Sequence, residues 1–206
     1  VYHNKRVYQD FLLKILNWHK NKNLDNPIKK NCKTLFVIGE SHSLSSHKIS
    51  FHHQGENFIC KSLLIIGCKQ WHLGNSNNNK FKRKFEKIVN SIPMESDILL
   101  AIGEIDCRVD NGIMKYKKKS PKKDIKEIVK NTIDNYLNYI YKINLPLKNK
   151  ITIQGIPCTN IETKNILSED YQELVNLIRF FNNELKIKSK KRGFAFLDLY
   201  KITDRG

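Results

Sequence analysis

Tryptophan and methionine are nearly absent, at two residues each, and cysteine occurs only five times in 206 residues. Cys32, Cys60, Cys68, Cys107 and Cys158 are odd in number, scattered and never spaced C-x-x-C. That pattern argues against a disulfide framework or a zinc site and for reduced thiols. Long hydrophobic runs are missing too: no apolar stretch nears the ~20 residues that span a bilayer, and the N-terminus lacks the uninterrupted apolar core of a signal peptide. The expectation is no membrane association and a cytoplasmic location. Acidic residues are in short supply, 20 against 37 lysines and arginines, for a formal charge of +17. The excess is lysine, arriving with much asparagine and isoleucine, while arginine, the usual bidentate reader of phosphates and bases, is scarce. The charge therefore does not argue for specific nucleic-acid binding. Its densest run, Lys115 to Lys123, reads as a solvated loop. Finally, no histidine follows His72.

What remains is a periodic chain. Residues 4 to 20 place Val7, Phe11, Leu12, Ile15, Leu16 and Trp18 near helical spacing, which predicts an amphipathic N-terminal helix. The polar stretch Asn21 to Asn31 reads as a linker, so residues 1–31 are set apart from an α/β domain over 32–206. Within that domain, apolar runs close on a glycine: Thr34 to Gly39, the latter half of Phe58 to Gly67, Asp97 to Gly103, and Ile151 to Gly155. Phe194 to Leu199 makes a last strand. Between them, residues 80–91 and the stripe Ile125, Ile128, Val129, Ile133, Tyr136, Leu137 and Ile140 carry helical spacing. Ser120-Pro121 reads as the start of that second helix, and Ser168 as the cap of a third running to Gly193. Strands alternating with helices imply a parallel sheet with helices on both faces.

In such sheets ligands bind beyond the carboxyl ends of the strands. Three polar clusters fall there: Gly39-Glu40-Ser41-His42, Gly67 with the loop to Gly74, and Gly103-Glu104-Ile105-Asp106-Cys107-Arg108. In this order, they resemble the blocks of the SGNH (GDSL-like) hydrolase superfamily over roughly Thr34 to Leu199. The resemblance implies a three-layer α/β/α sandwich, flavodoxin-like, around a central parallel sheet. It also implies ester hydrolysis: an esterase or O-deacetylase acting on a carbohydrate or other small ester, with no cofactor and no metal. Ser41 matches the nucleophile, with Glu40 where the family has aspartate. Gly67, or alternatively Gly74, matches the oxyanion glycine, and Asp106 matches the third block. Ile105 stands where that block has an asparagine and donates no hydrogen bond. Glu40, His42, Trp71, Glu104 and Arg108 are the expected substrate-binding residues.

The family's last block, Asp-x-x-His, has no counterpart. Asp198 is followed three residues later by Lys201, and Asp204 meets the chain end. Given the abrupt ends at Val1 and Gly206, the expectation is a domain truncated just short of its catalytic histidine. The competing reading is a catalytically silent domain that binds a glycan or a protein partner. His47, His52, His53 and His72 do not have metal-site spacing, and Cys107 reads as packing.

Overall fold

The computed structural model of the protein describes residues 13–14, 32–159 and 167–204. The amphipathic segment and linker expected over 4–31 fall outside the described residues, except that Leu13 and Lys14 are helical. Eight strands follow among the described residues. They are β1 (Lys33–Gly39), β2 (Ser50–His53), β3 (Glu56–Leu64), β4 (Asp97–Ala101), β5 (Cys107–Arg108), β6 (Asn111–Gly112), β7 (Lys150–Gln154) and β8 (Ala195–Leu197). The helices are α1 (Gln70–Gly74), α2 (Lys80–Val89), α3 (Ile113–Lys119), α4 (Ile125–Asn144), α5 (Ser168–Lys191) and α6 (Leu199–Thr203), with 3-10 turns at Ser41–Ser46 and Glu104–Asp106.

The six-stranded sheet runs β2-β3-β1-β4-β7-β8. β1 pairs in parallel with β3 and β4, β4 with β7, and β7 with β8. β2 is antiparallel to β3, so the sheet is mixed and not wholly parallel. The cause is a hairpin: Gln54 and Gly55 both take positive φ, 49° and 81°, as a two-residue turn matched to strand twist requires. By rank along the chain, the parallel strands lie in the order 2-1-3-4-5. That order reverses between β1 and β4, which makes the crevice at their carboxyl ends the topological switch point. The three sequence blocks follow β1, β3 and β4, which are neighbours in the sheet.

Alternation along the strands divides the core. Ile38, Ile98, Leu100 and Ile153 join Phe85 of α2, Ile133 and Leu137 of α4 and Phe181 of α5 in one cluster. Val37, Cys60 and Ala101 form a second, with Leu35 and Leu99 packed against it. Each fully buried aliphatic or aromatic side chain stabilises the fold by about 1.5–3 kcal/mol.

Several boundaries differ from the sequence reading. Lys115 to Lys119 belong to α3, anchored by the buried Ile113 and Met114, and are not a loop. Asp124, accepting the Lys126 N–H, caps α4, while Ser120 closes α3. Leu167 is the N-cap of α5 and Ser168 its first residue. β3 begins earlier and ends earlier than expected, at Glu56 and Leu64.

At Gly39 the strands leave no room for a side chain. A Cβ there would stand 2.6 Å from the Ala101 carbonyl oxygen and 2.8 Å from Ser43 Cβ. Gly39→Ala must push β1 from β4, and is expected to cost roughly 1–3 kcal/mol, read as a lowered urea midpoint with unchanged m-value.

Candidate active site at the switch point

At the end of β1 the chain turns at Glu40 into the 3-10 helix Ser41–Ser46. Local hydroxyl bonds hold that turn. Ser43 Oγ donates to the Glu40 carbonyl at 2.7 Å, Ser45 Oγ to that of His42 at 2.8 Å, and Ser46 Oγ to that of Ser43 at 2.8 Å. Ser62 Oγ of β3 donates to the Ser43 carbonyl at 2.6 Å, tying the turn to the sheet. The histidine- and serine-rich stretch thus has a definite structure despite its lack of period.

Glu40 is only 3% exposed. Its carboxylate accepts the Ser41 hydroxyl at 2.9 Å through Oε2 and pairs with His42 Nδ1 at 2.7 Å through Oε1. Burial alone would raise the Glu40 pKa, but the hydrogen bond and charge of His42 and the Ser41 hydroxyl outweigh it and hold the acid below its ordinary value. The same hydrogen bond raises His42, against the opposing effect of its own burial. Ser41 and His42 therefore meet through one carboxylate, on either side of it.

Across the switch point, Gly103 takes φ 144°, a conformation nearly restricted to glycine. It turns the chain from β4 into Glu104–Asp106. Glu104 receives a forked contact from Arg108, Nε to Oε1 and Oε2 at 2.9 and 3.0 Å and Nη2 to Oε2 at 2.7 Å. Ile105 is in the core. Cys107 is buried, and burial drives its thiol pKa well up, which suits packing and not nucleophilic attack. Asp106, 1% exposed, spends its carboxylate on the first turn of α1, accepting the N–H of Gln70 at 2.8 Å and of Trp71 at 3.2 Å.

A cleft of about 1010 Å³ runs along this edge, with Glu40, His42 and Ser43 on the β1 side and Glu104 and Arg108 on the β4 side. Its far wall includes Ile156, Pro157, Tyr171 and Arg179. The segment after β7 is fixed there by the buried Asn182. That side chain accepts the Ile156 N–H at 2.7 Å and donates to the Ile156 carbonyl at 2.8 Å. This wall was not anticipated from the sequence, although the glycine closing β7 was its signal.

The structure thus gathers Glu40, His42, Glu104 and Arg108 on the cleft wall, joins Ser41 to them through its hydrogen bond to Glu40 although Ser41 is not itself a wall residue, and places the other expected residues elsewhere. Gly67 has φ 70° in the loop after β3 and is not among the cleft's wall residues. Gly74 is a packing glycine, since a Cβ would stand 2.7 Å from the Tyr136 backbone nitrogen. Trp71 faces a separate cavity. Asp198 caps α6 and pairs with Lys186 at 3.1 Å. Among the described residues, Glu40, His42 and Glu104 bring ligand atoms within 4.8 Å of one another. The guanidinium on Glu104 opposes a cation there. His47 Nδ1 accepts the Ser62 N–H, His52 contacts Asn57, and His72 stacks on Phe81.

No family model and no curated protein matches the chain. Among solved structures, the chain is similar to an extracellular lipase from Streptomyces rimosus, at 12% identity over 82% of this chain and 81% of that one, with a TM-score of 0.49. It is also similar to phospholipase A1 from Streptomyces albidoflavus, at 11% identity over 82% and 80%, with a TM-score of 0.45. Neither likeness speaks for the chemistry of the cleft, which rests on this chain's own residues.

Proposed function

We propose that the switch-point cleft hydrolyses esters, with Ser41 as nucleophile, and that its substrate is an acylated carbohydrate or another small ester. The observation that carries this reading is the 2.9 Å hydrogen bond from Ser41 Oγ to the buried Glu40 carboxylate, at the fold's ligand-binding crevice. Ser41 Oγ attacks the ester carbonyl carbon while its proton passes to Glu40 Oε2. The tetrahedral intermediate expels the alkoxide, which takes that proton. Water then attacks the acyl carbon as Glu40 accepts its proton, and the second tetrahedral intermediate breaks its bond to Ser41 Oγ, which takes that proton back from Glu40 as the acid leaves. The Ser41 backbone N–H opens a 3-10 helix and so has no intrahelical acceptor. With Arg108 on the facing wall, it supplies positive potential for the oxyanion. His42 keeps Glu40 ionised and oriented, in the manner of the third member of a triad.

The test is saturable release of p-nitrophenol from p-nitrophenyl acetate, followed against pH. Glu40 works only as carboxylate, and its pKa is held below the ordinary 4.5. Rate should therefore persist from neutrality through 4.5 and fall only at more acid pH. A limb above 6.5, the ordinary imidazole value from which Glu40 raises His42, means that His42 is the base and Glu40 only positions the serine. No turnover at all sinks the reading.

A second reading, a silent cleft that binds a glycan or a protein partner, is favoured by Ile105, whose buried side chain offers the oxyanion no donor. It expects no covalent capture of Ser41 by a fluorophosphonate.

A further inference from the structure

A second cavity, of about 640 Å³, lies between α1, α3 and the first turns of α4. Its chemistry differs from that of the cleft. Trp71 and Tyr116 line it while remaining 53% and 42% exposed. Aromatic area left open on a cavity wall has no return within the fold and marks a place for a ligand.

Both rings are held. Asp106 accepts the backbone N–H of Trp71, which fixes the chain that carries the ring, and the indole meets His72 edge-on at 5.4 Å and 65°. His72 in turn stacks on Phe81 at 3.9 Å and 15°. Burial, helped by Lys69 and Lys80, pushes His72 down to about 4, so this platform is uncharged at neutral pH. Lys123 Nζ donates to the Tyr116 phenol at 2.6 Å and lies 5.2 Å from its ring centroid.

Charge completes the site. Lys115 and Lys119 line the cavity from α3, and Asn131 and Asn135 line it from α4. Each pair is spaced i, i+4 and so shares a helix face. Lys69 and Lys123 add to the wall, against Glu127 and an Asp106 already committed to α1.

We propose that this cavity binds a nucleotide, its base stacked on Trp71 and Tyr116, its phosphate on Lys115 and Lys119, and its polar edges on Asn131 and Asn135. Lysine serves phosphate as a point charge, asparagine amides match base edges, and stacking on aromatics tolerates any base. The volume falls in the ~300–1,000 Å³ range of small-ligand pockets, which favours a mononucleotide over a strand tracked along a groove.

The experiment titrates the full chain, carrying Trp18→Phe so that Trp71 alone reports, with AMP, ribose 5-phosphate and inorganic phosphate. Tryptophan emission and calorimetry are both read. AMP should quench Trp71 saturably, and salt should weaken the binding. The pair Lys115→Ala and Lys119→Ala should weaken it by roughly tenfold or more, and Trp71→Ala by about tenfold. Trp71→Phe should retain it, and Ser41→Ala should leave it unchanged, which separates this site from the ester cleft. Circular dichroism confirms that each variant is folded. Absence of saturable binding overturns the proposal. So does ribose 5-phosphate or inorganic phosphate binding as tightly as AMP, or a lysine pair whose loss changes nothing.

Discussion

Ser41→Ala is expected to lower kcat/KM for p-nitrophenyl acetate by roughly 10³-fold or more and to leave the fold intact. The loss should fall on kcat. The hydroxyl is the atom that bonds to the acyl group, whereas cleft walls such as Tyr171 and Arg179, which would govern substrate capture, are untouched. Removing Oγ takes one hydrogen bond from Glu40 but leaves the His42 contact at 2.7 Å, so the carboxylate keeps a partner. Stability should therefore change by less than about 1 kcal/mol, and a thermal melt run beside the assay separates loss of chemistry from loss of structure. Turnover that survives in this variant assigns the hydrolysis to another group.

The second large effect is structural. Asp106→Ala should destabilise the protein by roughly 2–5 kcal/mol, because it strips the acceptor from two backbone donors at the start of α1. Those donors, on Gln70 and Trp71, sit more than thirty residues away in the chain, so the carboxylate ties the loop after β4 to the segment after β3. Burial raises Asp106 to about 6, although the Gln70 and Trp71 N–H bonds oppose the shift. A raised folded-state value means that the native protein binds this proton more tightly than the unfolded chain. The group's contribution therefore becomes less favourable as pH rises from 3.8 through about 6. Its net value at neutral pH rests on the two N–H bonds. Asp106→Asn keeps one acceptor and turns an amide against the other donor, so it should lose less than alanine and abolish that stretch of pH dependence. Urea midpoints for the three proteins across this range read both effects.

Asp106 also shows what sequence alone leaves hidden. Strands β1, β4 and β7 were legible as apolar runs closing on glycine, and α4 as a stripe of aliphatics. In each case, the signal and the structure lie within the same few residues. α1 was not legible, because it is five residues long and its first turn is satisfied by an acid from another loop. α3 was missed for a different reason. Ile113 and Met114 are its only buried anchors, and the lysines after them carry no period. Ser120 looked like a helix start because it precedes proline, yet Asp124 takes that role.

The site follows the same division. That Ser41 and the cluster from Glu104 to Arg108 stand at strand ends was readable. That Glu40 and His42, on either side of Ser41, face Glu104 and Arg108 across a cleft required β1 and β4 to be neighbours. The pairing of Ser41 and His42 through Glu40 depends on a 3-10 turn, which has no sequence period to reveal it. Gly67 and Trp71 left the group because the chain turns after Ile65, where the Cys68 N–H donates to the Ile65 carbonyl at 3.1 Å. α1 is thereby carried against Tyr136 of α4, where Gly74 allows close approach, and away from the cleft.

The central claim, that the Glu40-bonded hydroxyl at the switch point is a nucleophile, meets its most direct test in covalent capture. The protein is incubated with a fluorophosphonate, digested, and its modified peptide sequenced by mass spectrometry. This account expects one adduct, on Ser41, formed more slowly in Glu40→Gln and absent in Ser41→Ala. A protein that stays unmodified, or that carries its adduct on any other residue, contradicts it.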